Sequence, residues 1–69
     1  MERKLNDVRE GERLWLEIVN IETGKVVQKQ EIRIPKRKLE KFYYFMLSRV
    51  NLEKYFVRIV DYEGNIVIV

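Results

Sequence analysis

The 69-residue chain contains no cysteine and no histidine, and only one proline and three glycines. Without cysteine it forms no disulfide. Without either residue it lacks the usual zinc and haem ligand sets and the Ser-His-Asp and Cys-His relays of nucleophilic catalysis. Long hydrophobic runs are missing too. The longest apolar stretches, Phe42 to Leu47 and Ile66 to Val69, fall far short of the roughly 20 residues that a membrane helix requires. No signal-peptide h-region follows the charged start Met1-Glu2-Arg3-Lys4. The expectation is a cytoplasmic protein that uses no metal, cofactor or membrane.

Catalysis loses most of its apparatus with histidine. Ser48 and Thr23 are the only hydroxyl nucleophiles besides the tyrosines, and Ser48 falls on the helix side away from the apolar stripe described below. Asp61 and Glu63 share a tight turn, where carboxylates are ordinary surface residues. There is no P-loop, no GxGxxG and no DxDxDG loop. A non-enzymatic protein is expected.

What is present points to a folded domain. Apolar residues make up 46% and charged residues 36%, and the eight aromatics set the chain apart from disordered sequences, which are poor in them. A chain of this length supports one domain that buries roughly 60% of the surface its unfolded state exposes. The preference for Lys, Glu, Arg, Ile and Val over Asn, Gln and Cys is a composition seen in thermophiles.

Gly11, Gly24, Pro35 and Gly64 punctuate the chain. Before Gly11, only Leu5 and Val8 are apolar after Met1, so residues 1–11 read as a flexible N-terminal arm and residues 12–69 as a single small α+β domain. From Glu12 to Ile21 the residues alternate, with Leu14, Leu16 and Ile18 on one parity and Trp15, Glu17, Val19 and Ile21 on the other. This period of two marks a strand, and Val26 to Ile34 repeats it. Glu22-Thr23-Gly24-Lys25 suits a short hairpin loop closed by a left-handed glycine. That loop sets Glu17 opposite Lys29, Leu16 opposite Gln30, Leu14 opposite Ile32 and Val19 opposite Val27.

After Pro35, apolar residues recur at Leu39, Phe42, Tyr43, Met46, Leu47 and Val50, the spacing of an amphipathic helix. Pro35 suits its first position and Asn51 an exit in the left-handed region. Lys54 to Asp61 and Asn65 to Val69 then form a second β pair around Tyr62-Glu63-Gly64. The predicted fold is β-β-α-β-β, a four-stranded, mostly antiparallel sheet with one helix packed on one face.

Charge distribution gives the leading functional expectation. Residues 25–49 carry eight basic and two acidic residues, whereas the segments before and after them are net acidic. Lys36, Arg37 and Lys38 fall in the first helical turn, where the macrodipole disfavours cations and free N–H groups favour anions. Tyr44 and Phe45 lie off the apolar stripe, on its two flanks, beside Lys38, Lys41 and Arg49. A nucleic-acid-associated module is therefore expected, with Arg33, Lys36, Arg37, Lys38 and Lys41 on phosphates and Tyr44 and Phe45 stacked on bases of DNA or RNA. The alternative is a protein-interaction or homodimeric assembly module. Its surface would be the sheet face away from the helix, formed by Trp15, Val19, Phe56, Val60, Ile66 and Ile68, together with the exposed aromatics Tyr44 and Phe45.

Overall fold

The computed structural model describes residues 2–69. These form β1 (Glu2–Lys4), β2 (Leu14–Asn20), β3 (Val26–Ile32), α1 (Leu39–Arg49), β4 (Tyr55–Asp61) and β5 (Ile66–Ile68), with short 3-10 turns at Leu5–Asp7 and Lys36–Lys38. The predicted β-β-α-β-β core is present. The sheet, however, has five strands in the order β1-β5-β4-β2-β3 and is mixed, because β1 lies parallel to β5 while the other pairs are antiparallel.

The additional strand comes from the expected arm. Glu2, Arg3 and Lys4 pair with Ile66, Val67 and Ile68, and Val8 is 2% exposed in the core. The Arg3 guanidinium holds this segment in place by bonding to the carboxylates of Glu12 and Asp61 and to the Asp7 carbonyl. Residues 2–11 are thus part of the folded unit, and Met1 lies outside the described residues. Three residues are too few to show a period of two, and pairing with a strand more than sixty positions away leaves no local pattern.

The β2–β3 register matches the expected one for Leu14–Ile32, Leu16–Gln30 and Glu17–Lys29, but Val19 faces Val26 in place of Val27. A bulge beside Ile18 and Val19 accounts for the slip. The loop closes one residue earlier than expected because Asn20 organises it. The Asn20 side-chain oxygen accepts the N–H groups of Glu22 and Thr23, and its own N–H reaches the Lys25 carbonyl. Gly24, at φ +73°, supplies the left-handed residue.

The core lies between the sheet and α1. Leu14, Leu16, Ile18, Ile32, Val57, Ile59 and Val67 from the strands meet Leu39 and Val8, and Phe42, Tyr43, Met46, Leu47 and Val50 pack against them. The helical stripe therefore faces the sheet as its spacing predicts. Its two ends differ from expectation. Lys36–Lys38 adopt a 3-10 turn after Pro35, with the Lys38 N–H bonded to the Pro35 carbonyl, and the α-helix proper starts at Leu39. At the other end Val50 is extended and Asn51 is not left-handed. The Asn51 carbonyl instead accepts from Lys54 and Tyr55, and its side chain accepts from the Glu53 N–H, opening a turn into β4.

Candidate functional site

Two surfaces carry the expected site residues. The first is the outer side of α1 where it adjoins the end of β3. Arg37, Lys38 and Lys41 surround an open groove lined with Ile34, Phe42 and Phe45. An adjoining hollow brings Arg37 and Lys41 together with Glu40, Tyr44 and Phe45. Residues 37, 41, 44 and 45 meet because Arg37 lies about one turn before Lys41, and Lys41 one turn before Tyr44 and Phe45. Tyr44 and Phe45 are 54% and 53% exposed, the Arg49 guanidinium lies 5.3 Å from the Phe45 ring centre, and Tyr44 sits edge-on to Tyr43. Ser48 donates to the Phe45 carbonyl, a local helical contact.

Lys36 and Arg33 do not join this groove. The Lys36 side chain turns back to the Asn6 carbonyl, and its backbone N–H is taken by the Glu10 carboxylate. One of the free N–H groups anticipated for phosphate is thus already satisfied within the chain. Arg33 pairs with Glu31 at 3.2 Å.

The partnering of cations separates structural charge from available charge. Arg3, Arg13, Lys29, Arg33 and Arg58 all hold carboxylates. Among the described residues no ion pair involves Arg37, Lys38 or Lys41.

The second surface is the sheet face away from α1, which has a charged centre. Glu17, 6% exposed, accepts from Arg58 at 2.7 Å and pairs with Lys29 at 3.2 Å. Burial pushes the Glu17 carboxyl up, but the Arg58 and Lys29 contacts outweigh it and hold the group below its usual range. Arg13 and Lys29 lie 5.0 and 5.8 Å from the Trp15 ring centre, and Tyr62 stacks at a tilt beside it. Val19 and Val60 are buried within the chain, so Phe56, Ile66 and Ile68 are the exposed remainder of the expected apolar face.

The opposition of Glu17 and Lys29 is legible in the strand alternation. Arg58 as a second partner is not, since it arrives from a strand forty residues later. The apolar lining of the basic groove was likewise hidden, because Phe42 reads only as part of the core stripe and Ile34 only as strand. Among the described residues no three acidic side chains gather as a metal site requires, and no helix is long and apolar enough to cross a membrane. No protein-family model, no curated protein and no solved structure matches this chain.

Proposed function

We propose that the chain is a non-catalytic module that binds single-stranded nucleic acid along the outer side of α1. The supporting observation is the set of three cations without carboxylate partners among the described residues, Arg37, Lys38 and Lys41, around a groove lined with the exposed ring of Phe45. Cations in this arrangement release counterions from a phosphate backbone, and exposed rings beside them offer stacking planes to unpaired bases. A duplex keeps its bases stacked inside, so it would use the cations but not Tyr44 or Phe45. Lys36 and Arg33, already engaged within the chain, contribute less than their place in the sequence suggests.

Fluorescence anisotropy with labelled single-stranded DNA and RNA, and with a duplex, across a salt series tests this. Replacing Arg37, Lys38 and Lys41 together with Gln flattens the plot of log K against log salt by about 2 units on a single strand, at about 0.7 per phosphate contact. Lys36→Gln leaves the slope unchanged. Tyr44→Ala and Phe45→Ala each weaken single-strand binding by about 1–3 kcal/mol and leave the slope in place. Absence of binding at low salt, or a slope indifferent to the triple substitution, refutes the proposal.

A further inference from the structure

The two edges of the sheet are unequal. β1 is a three-residue strand, whereas β3 runs for seven residues, and every residue from Val26 to Gln30 is exposed. Among the described residues β3 is an end strand of the sheet, and no strand pairs with its outer side. Native proteins usually blunt such an edge with a bulge or a guarding lysine. Here the bulge lies at the Val26–Val27 end and leaves Gln28–Ile32 regular. The Lys29 side chain reaches Glu17 and still remains half exposed beside the edge, so its charge is balanced within the sheet and stays open to a facing carboxylate.

Backbone alternation fixes which groups the edge offers. The Asn20 N–H points to Lys25 on the β3 side, and the Ile21 N–H points to Lys54 on the β4 side. Leu14, Leu16 and Ile18 therefore exchange hydrogen bonds with Ile32, Gln30 and Gln28, their register partners. The N–H and C=O groups of Lys29 and Glu31 face outward, free to pair.

We infer that a second copy of this chain occupies that edge, its β3 antiparallel to the first, with the two-fold axis at Gln30. In this register Lys29 faces Glu31 of the second copy and Glu31 faces Lys29 of the second copy, each as a hydrogen-bonded pair, with Gln30 opposite Gln30 between them. The neighbouring registers fail on charge. A two-fold axis at Lys29 sets lysine against lysine, and one at Glu31 sets glutamate against glutamate and Lys29 against Arg33. Like charges directly opposite on paired strands are destabilising, and opposite charges are favourable. The contact is isologous, so it closes at a dimer with a continuous ten-stranded sheet and does not propagate into a fibre.

Single cysteines report the register, because the chain has none of its own. Facing residues of a non-hydrogen-bonded antiparallel pair have Cα atoms about 4.5 Å apart, inside the roughly 4.4–6.8 Å span of a disulfide. Gln30→Cys therefore yields a covalent dimer on mild oxidation. Gln28→Cys does not, because Gln28 faces Ile32 and its counterpart lies about 13 Å away, four strand steps of roughly 3.3 Å. Sedimentation equilibrium of the unmodified chain returns twice the monomer mass as concentration rises. Gln30→Lys, a change at an exposed residue whose folding circular dichroism verifies, returns the monomer. A chain that stays monomeric at its highest attainable concentration overturns the inference. So does a dimer that survives Gln30→Lys, or one that oxidises as readily through Cys at 28 as at 30. Binding of an added β3 peptide by a chain that does not self-associate would show an edge meant for another strand, and would also overturn it.

Discussion

At the scale of the residue, charge is divided between side chains committed to the fold and side chains free to act. Glu17 is the most committed: a buried carboxylate is tolerable only while cations and hydrogen bonds surround it. Arg58→Ala removes the closer of its two partners and lowers stability by about 1–3 kcal/mol, measured by urea denaturation, while Glu17→Leu in the same chain restores part of the loss by removing the stranded charge. Asp61 shows the same logic at the other end of β4. Burial raises its carboxyl, but N–H groups of Asn65 and Glu63 together with Arg3 outweigh burial and hold it at about 2, below an ordinary value of 3.8. A carboxyl depressed by folding adds stability that is present above its unfolded pKa and is lost as pH falls through the folded one. Glu12, bonded chiefly to Arg3, and Glu31, bonded chiefly to Arg13, are lowered in the same direction. The melting temperature should therefore hold steady above about pH 5 and fall between about pH 4 and pH 2. A melting curve unchanged across that window would show that these contacts are not kept in solution.

At the scale of the element, α1 serves two surfaces at once. Leu39 is its one fully buried residue, 2% exposed, at the junction of the 3-10 turn and the α-helix. Leu39→Ala should cost about 2–5 kcal/mol in urea denaturation, whereas Tyr44→Ala and Phe45→Ala on the solvent side leave stability within about 0.5 kcal/mol. This division was legible in the sequence, because a 3.6-residue period sorts side chains by angle and needs no distant partner. The start of the helix was not. Pro35 permits an α-helical or a 3-10 turn equally, and the carboxylate that takes the Lys36 N–H belongs to Glu10, in a segment with no periodicity. Three of the five expected phosphate-binding cations keep their freedom in the fold, and only tertiary contacts distinguish them from Lys36 and Arg33.

At the scale of the whole molecule, strands with local partners were legible and the strand with a remote partner was not. The β2–β3 register follows from a turn, and a slip at one bulge is its single departure. The antiparallel pairing of β2 with β4, which puts Glu17 beside Arg58, requires knowing the strand order, and alternation alone does not supply it. β1 marks the far limit: Glu2–Lys4 joins Ile66–Ile68 across almost the entire chain. This has a consequence in time. Contacts between distant segments carry the largest loop-closure entropy and form late. During synthesis β1 emerges before every other described strand, and its hydrogen-bonding partner β5 emerges after them, so the backbone groups of Glu2–Lys4 have no strand to pair with until then. Of the five described strands, the first to be synthesised is the one whose partner is synthesised last.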